Sequence, residues 1–267
     1  LLTYVNFTDI KPDPTFANGT DQAFTSEPCH GVAFFTGTPI DGPGMPGLLG
    51  SGAQLIAQRL KKKRLAQLNR LTTQERAYYE RIYAAQGPKD ILMESFRKQV
   101  LGYTLDALPL PGFADPLVKE MKRQASVGAI NKSAMVPTVL PLQIVRIGSL
   151  ALVCCPGEFT TTAGRRLMDA VQARLKNLGI EQVLITTYCN EYMGYVTTNE
   201  EYQQQNYEGG HTIFGQWTLA AFQTIFSQLA PELAKAPDKR EHDRSTRPAP
   251  ALADELAKRS NLAPPRH

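Results

Sequence analysis

The 267-residue chain has no strong charge excess, no paired cysteine motif and no long apolar run. Its 29 basic and 25 acidic side chains leave a net charge of only +4, without the concentrated positive patch that binds nucleic acid nonspecifically. The four cysteines form no CxxC pair and no zinc-ribbon spacing, so they are interpreted as small core residues. No apolar run approaches the roughly 20 residues that span a bilayer. These absences argue against a nucleic-acid-binding protein and against a transmembrane helix.

The amino-acid composition predicts a globular domain followed by a tail. With 42% hydrophobic residues the chain is long enough to bury a core, and it is near the upper length of one ordinary domain. We predict one domain over residues 1–235 and a disordered linker or tail over residues 236–267, whose polar, proline-rich composition cannot bury enough apolar surface to fold. The opening run Leu1–Phe7 is typical of a strand already under way, so we expect a longer protein.

Residues 142–187 are predicted to form a hairpin of two strands, then a helix, then a third strand. The hairpin turns at Gly148, Thr160 offers an N-cap hydroxyl to the helix, and Gly179 fits a left-handed residue at its end. Strands joined by a helix in this way run parallel with a right-handed crossover. The predicted fold class is α/β, with a mixed sheet, at least one βαβ unit and flanking helices, as part of a larger domain.

Outside this unit, the apolar spacing predicts three helices and one further strand. The helices cover residues 53–71, 74–85 and 212–230, and the strand covers Val32–Phe35. The first helix carries a basic run over residues 59–64. This face is interpreted either as a peripheral contact with an anionic membrane surface or as the solvated face of an ordinary packed helix.

Functional side chains follow both parallel strands of the predicted βαβ unit. Glu158 comes directly after the first strand, and the tyrosine-rich loop from Tyr188 to Tyr195 follows the second. Because the carboxyl ends of parallel strands share one edge, where open sheets bind ligands, we expect the two loops to meet. Glu158 could bind a metal, act as a general base or interact with the positive end of the helix dipole. Position alone favours the dipole role.

Two runs of this chain closely resemble the neutral/alkaline, non-lysosomal ceramidase family. They are Pro-Gly-Glu-Phe-Thr-Thr-Thr-Ala-Gly-Arg-Arg-Leu over residues 156–167 and Gly-Tyr-Val-Thr-Thr-Asn-Glu-Glu-Tyr-Gln-Gln-Gln-Asn-Tyr-Glu-Gly-Gly over residues 194–210. The resemblance extends to residues 140–152 and 212–219 and more weakly to 34–44, whereas 52–135 match poorly. It implies hydrolysis of the amide of ceramide, or a related N-acyl sphingolipid, at Zn²⁺ in a secreted or membrane-surface enzyme.

The resemblance also implies roles for three residues. In the family the zinc ion is held by two histidines, a glutamate and a tyrosine; Glu158 matches the glutamate and Tyr195 the tyrosine. Tyr207 matches a family tyrosine that reaches the reacting carbonyl, where a phenol donor stabilises developing oxyanion charge. The family's two zinc histidines and its serine motif are not found in this sequence, so the upstream half of the catalytic domain is the expected partner.

His211 is interpreted as structural, and the other three histidines are placed in loops or in the tail. The alternative function is a catalytically inactive lipid-binding or interaction domain on the same scaffold.

Overall fold

The computed structural model describes residues 1–38, 42–109, 111–112, 116–128, 134–250 and 253. The helices and strands in this part of the chain are, in order, β1 (Leu2–Asn6), β2 (Cys29–Gly31), α1 (Val32–Thr36), β3 (Gly37–Thr38), β4 (Gly42–Pro43), α2 (Gly47–Ala66), α3 (Thr73–Gln86), β5 (Ile91–Glu94), β6 (Gln99–Val100), β7 (Tyr103–Thr104), α4 (Pro116–Ser126), β8 (Val139–Ile147), β9 (Leu150–Cys154), β10 (Glu158–Phe159), α5 (Thr161–Leu175), β11 (Gln182–Thr186), β12 (Tyr195–Val196), α6 (Asn199–Gln204), α7 (Tyr207–His211) and α8 (Thr218–Leu229).

A mixed four-stranded sheet in the order β1-β8-β9-β11 contains the predicted βαβ unit. Strands β1, β8 and β9 pair antiparallel, with the β8–β9 turn at Gly148, whose φ is +61°. Strands β9 and β11 pair parallel and are connected through α5. The predicted α/β class, with its mixed sheet and flanking helices, is confirmed.

Helix α5 forms where its start and end signals predict it. The Thr160 hydroxyl accepts a hydrogen bond from the Ala163 N–H and caps the first turn. Leu167 and Val171, four residues apart, are fully buried on the face turned to the core. Gly179, with φ of +67°, follows the short 3-10 turn that ends the helix. The crossover therefore holds the residues just before α5 in a fixed position at the sheet edge.

An aromatic cluster joins α8 to the main sheet and to this edge. The Phe222 ring lies 4.5 Å from that of Phe7 and 5.1 Å from that of Phe159, measured between ring centroids. All three belong to or pack against one continuous core of buried apolar residues. Because Phe159 directly follows Glu158, this core packing also anchors the backbone of the glutamate.

A second layer is built around the antiparallel sheet β2-β5-β6-β7 and helices α2 and α4. Its smaller core includes Ala53 and Ala57 of α2, Leu92 of β5 and Val118 of α4. Small residues on α2 let this helix lie close to the strands, although most of its other side chains face solvent. The predicted helix over residues 74–85 is confirmed as α3, which begins with a Thr72–Glu75 capping box.

The predicted strand at Val32–Phe35 is wrong, because these residues form the short helix α1. A run of four apolar residues fits either structure when periodicity is the only guide. Gly37, with φ of +72°, ends the helix after a single turn. Packing against α7 selects the helical form.

Two predicted helix boundaries also differ from the structure. The first helix runs over residues 47–66 instead of 53–71. The last begins at Thr218 instead of Thr212, since Gly215 has a φ of +100°, which no helical residue adopts. Among the described residues, no helix is both long enough and apolar enough to cross a membrane.

The predicted boundary between residues 235 and 236 stays a prediction. Of the predicted tail over residues 236–267, residues 251, 252 and 254–267 lie outside the described residues.

Candidate active site

The two loops that follow the parallel strands meet at one edge of the main sheet. Strands β10 and β12 form a two-residue parallel ladder in which Glu158 is the register partner of Tyr195. The Glu158 N–H donates to the Gly194 carbonyl at 2.9 Å, and the Thr160 N–H donates to the Val196 carbonyl at 3.1 Å. A carboxylate and a phenol, 37 positions apart by their residue numbers, are thereby fixed on neighbouring strands.

Phenols surround the Glu158 carboxylate. The Tyr192 hydroxyl donates to Glu158 Oε1 at 2.6 Å. Burial acts to raise the pKa of Glu158, but hydrogen bonds from Tyr192, Tyr188 and Tyr195 outweigh it, so the pKa lies below its usual value. The carboxylate is therefore ionised at neutral pH. Burial, followed by the hydrogen bond to Glu158 and its negative charge, raises the pKa of Tyr195.

Glu158 does not cap helix α5 through a hydrogen bond. The N-cap is Thr160, two residues further on. The Glu158 carboxylate accepts its hydrogen bond from Tyr192 instead. This geometry excludes a capping role for Glu158 and leaves a ligand role open.

Helix α7 brings Tyr207 to the same site. The Tyr207 ring lies 5.7 Å from the Tyr195 ring and 5.3 Å from the Phe34 ring, between centroids. This contact between α7 and α1 needs glycine at position 210, because a Cβ there would lie 2.6 Å from the Phe34 nitrogen. Glu158, Tyr195 and Tyr207, the three residues singled out in the sequence, thus form one cluster.

His211 packs beneath this cluster. It is only 8% exposed, its ring stacks on Phe34 at 3.9 Å, and it lies 5.8 Å from the Tyr195 ring. Burial, with the positive charge of Lys89, lowers the pKa of His211 to about 4, so the ring is neutral at pH 7. Its Nδ1 has no hydrogen-bond partner among the described residues.

His30 does not lie in a loop, as the sequence predicted, but in strand β2, where it is 4% exposed. Its ring lies 5.2 Å from that of His211, and its Nδ1 is 2.9 Å from the Ser95 hydroxyl. Burial lowers the pKa of His30 well below its usual value. In the sequence, the only sign that His30 is buried is the apolar run that starts two residues later, at Val32. Among the described residues, no three His, Cys, Asp or Glu side chains are grouped to hold a metal.

Lys89 ties together the two segments that carry these histidines, and nothing in its sequence surroundings indicated this. Its ammonium group is fully buried and donates to the Cys29 carbonyl at 3.1 Å and to the Thr212 carbonyl at 2.7 Å. Burial lowers the pKa of Lys89 to about 7. The amine bridges residues adjacent in sequence to His30 and His211.

Gly194, directly before Tyr195 in the tyrosine-rich loop, is expected to tolerate no side chain. Its φ is +101°, and an added Cβ would lie 2.8 Å from both the Nε2 and the carbonyl oxygen of His211. We expect Gly194→Ala to lower the free energy of unfolding by about 2–3 kcal/mol, since overpacking adds to backbone strain. Gly148→Ala is the matched control, because its φ is also positive but its Cβ would meet no atom within 4 Å. Equal losses for the two variants in parallel urea titrations would contradict the predicted clash.

Polar side chains on loops at the carboxyl ends of parallel strands are typical of the ligand sites of open α/β folds. Comparison with known proteins identifies the family. Residues 119–224 match the family described as neutral/alkaline non-lysosomal ceramidase, N-terminal. The chain belongs to the neutral/alkaline ceramidase family.

Three relatives with the name neutral ceramidase match between 48% and 86% of the chain. That of Pseudomonas aeruginosa is 32% identical over 227 residues, which cover 85% of this chain and 27% of the relative. That of Mycobacterium tuberculosis is 32% identical over 229 residues, covering 86% of this chain and 29% of the relative. Neutral ceramidase 3 of Arabidopsis thaliana is 45% identical over 132 residues, 48% of this chain and 17% of the relative.

Two solved structures have the same fold over nearly the whole chain. A structure described as a ceramidase complexed with C2 matches with a TM-score of 0.60 and 29% identity, covering 93% of this chain and 31% of that chain. The neutral ceramidase of Pseudomonas aeruginosa matches with a TM-score of 0.53 and 27% identity, covering 94% and 30%. The chain therefore spans less than a third of the length of these relatives.

Proposed function

We propose that the protein containing this chain hydrolyses the N-acyl amide bond of ceramide, or of a related N-acyl sphingolipid, to a sphingoid base and a fatty acid. The observation that carries this proposal is the pairing of Glu158 with Tyr195 in register, with the Tyr207 ring 5.7 Å from that of Tyr195. The names of the relatives and of the similar structures support the same activity.

We propose further that Glu158 and Tyr195 supply two of the ligands of a zinc ion. Both are oxygen donors, and the ionised Glu158 is of a type that Zn²⁺ binds in proteins. The Tyr195 phenol must lose its proton to bind, which a nearby cation favours. The resemblance to ceramidases implies that two histidines from the upstream half of the catalytic domain complete the ligand set. When bound, zinc supplies a Lewis acid and lowers the pKa of a water molecule.

Two phenols of this chain would act around that site. Tyr192 holds Glu158 Oε1 by its hydrogen bond, which orients the carboxylate. Tyr207 would donate its O–H to the oxygen of the amide carbonyl as negative charge develops on it. Its ring is held between the Phe34 and Tyr195 rings, so the donor is positioned before the reaction begins.

Ceramide turnover by the full-length protein tests this function. We expect release of sphingosine and fatty acid in equal amounts, measured by mass spectrometry. Removal of metal by a chelator should abolish the release, and added Zn²⁺ should restore it. Release that is unaffected by thorough metal removal would contradict the zinc proposal, and absence of release from the zinc-loaded protein would favour the lipid-binding alternative.

We also propose peripheral contact with an anionic membrane surface through α2. Leu48, at 91% exposure, and Leu55, at 46%, present apolar surface on this helix, and Arg59, Lys62 and Lys63 are exposed near its end. Charges of this kind attract acidic lipid headgroups. We expect the full-length protein to sediment with vesicles containing phosphatidylserine but not with pure phosphatidylcholine vesicles. Equal sedimentation with both would count against the contact.

A further inference from the structure

An apolar cavity of roughly 460 Å³ lies between α2, α4 and the strands β5–β7. Its volume falls within the range of about 300–1,000 Å³ that is typical of small-molecule sites. None of the described residues that line it is charged, and none is a candidate site residue. Its walls include Phe35, Leu49, Ile56, Leu92, Leu108 and Met121. This lining suits a hydrocarbon chain and offers almost nothing to a polar ligand.

The rim of the cavity exposes large apolar side chains to solvent. Leu48 is 91% exposed and Ile56 is 48% exposed, and both line the opening on α2. An exposed apolar patch continuous with an apolar cavity marks a binding site more often than a surface without function. Filling the cavity with an alkyl chain would bury both the chain and this rim.

Positive charge continues from the rim along the same face of α2. Arg59 and Lys63 follow Ile56 at positions i+3 and i+7, which places the three side chains in one row. Both cations are exposed, and neither has an acidic partner among the described residues.

Two neighbouring cations differ from this row because their side chains already have partners. Arg64 forms an ion pair with Glu94, and Lys61 donates to the Gly87 carbonyl. The row that extends from the cavity rim keeps its charge available for a ligand, as does the exposed Lys62 beside it.

We propose that this cavity binds the alkyl chain of a long-chain carboxylate, with the carboxylate group held near Arg59 and Lys63. The apolar walls account for the chain and the two unpaired cations account for the negative head. Ceramide is uncharged and would form no ion pair with the two cations, whereas a free fatty acid would, so we take a free fatty acid as the ligand. The site shares no lining residue with the Glu158 cluster, and it stands independently of the proposed hydrolysis.

Binding of laurate to the full-length protein tests the proposal, with dodecanol as the uncharged control of equal chain length. The Glu158→Gln variant is used, so that turnover plays no part in the measurement. By equilibrium dialysis at low salt we expect laurate to bind about fivefold more tightly than dodecanol, the scale of two partly exposed ion pairs. Equal affinities for laurate and dodecanol would overturn the role of the cations.

Three variants locate the site. Arg59→Ser/Lys63→Ser should lower the affinity for laurate to that for dodecanol. The control Arg165→Ser/Lys176→Ser, which removes two exposed cations at α5, should change neither the affinity for laurate nor the affinity for dodecanol. Ile56→Glu should weaken both ligands at least about tenfold, because a charge at the rim opposes burial of the chain. Ile56 is half-exposed, so this variant is expected to fold, as circular dichroism can verify.

Three further outcomes are informative. Undiminished binding of both ligands to Ile56→Glu would overturn the cavity as the site. Binding to acidic vesicles without binding of monomeric laurate would also overturn it, and would assign α2 to membrane contact alone. Laurate binding that follows the expected pattern in a protein that fails to hydrolyse ceramide would leave this site standing and remove only the proposed activity.

Discussion

Replacement of Glu158 by alanine in the full-length protein is expected to remove bound zinc and ceramide hydrolysis together. The carboxylate is ionised at neutral pH and is held by the Tyr192 hydroxyl at 2.6 Å, so it is prepared to bind a cation. Loss of a protein ligand leaves the remaining donors too few for a stable site. We expect activity to fall by at least about a thousandfold. Removal of a single group that stabilises transition-state charge already lowers kcat by about 10²–10³-fold, and the loss of the metal should cost at least as much.

Metal content and turnover should be measured on the same preparations. Glu181→Ala is the matched control, because Glu181 is an exposed carboxylate at the opposite, amino-terminal end of strand β11. This control should keep both zinc and activity. Glu158→Gln keeps the shape of the side chain but lacks its charge, and it should also lose zinc. If Glu158→Ala keeps its full zinc content, Glu158 is not a ligand and the proposed site is wrong.

The part of the fold that carries the site could be predicted because local and long-range signals agree there. Between Gly148 and Gly179 the turn glycines, the Thr160 cap and the apolar spacing of α5 all indicate the same βαβ unit. Parallel pairing of the flanking strands then follows from the crossover alone. The meeting of Glu158 with Tyr195 is a consequence of this topology and needed no knowledge of side-chain packing.

Elsewhere, tertiary contacts decided between local alternatives. The apolar residues Val32–Phe35 form a helix because α1 packs on α7, and the sequence gives no sign of this partner. Residues 212–217 precede helix α8 instead of extending it, since Gly215 turns the chain with a positive φ. In both cases the deciding contact or dihedral lies outside what hydrophobic periodicity can report.

The burial of charged and titratable groups was the least predictable feature of the site. Lys89 and His30 occur in polar or mixed stretches, yet both are almost completely buried. Lys89 finds two carbonyl acceptors contributed by segments 60 and 123 positions away. Such partners are assembled only by the folded chain, so no local pattern announces them. The sequence likewise does not distinguish Tyr192 from the other tyrosines of its loop, although in the fold its hydroxyl donates to Glu158.

Replacement of Tyr207 by phenylalanine in the full-length protein is expected to lower kcat for ceramide by about 10²–10³-fold, with KM and zinc content nearly unchanged. The variant keeps the ring between Phe34 and Tyr195 and loses only the hydroxyl donor. A hydrogen bond that strengthens as the carbonyl oxygen gains charge affects the transition state more than the bound substrate. The loss should therefore appear in kcat and in kcat/KM alike.

Tyr202→Phe separates this catalytic role from a general loss of stability. The Tyr202 hydroxyl is buried and lies 2.9 Å from the backbone carbonyl oxygen and 3.0 Å from Oε1 of Gln86 as a donor to both. Its removal should cost about 1–3 kcal/mol in the free energy of unfolding, because the buried Oε1 of Gln86 loses its partner, while kcat of the folded enzyme stays close to that of the parent. An unchanged kcat in Tyr207→Phe would mean that Tyr207 serves only as a packed ring against Tyr195. The developing charge would then have to be met by another donor.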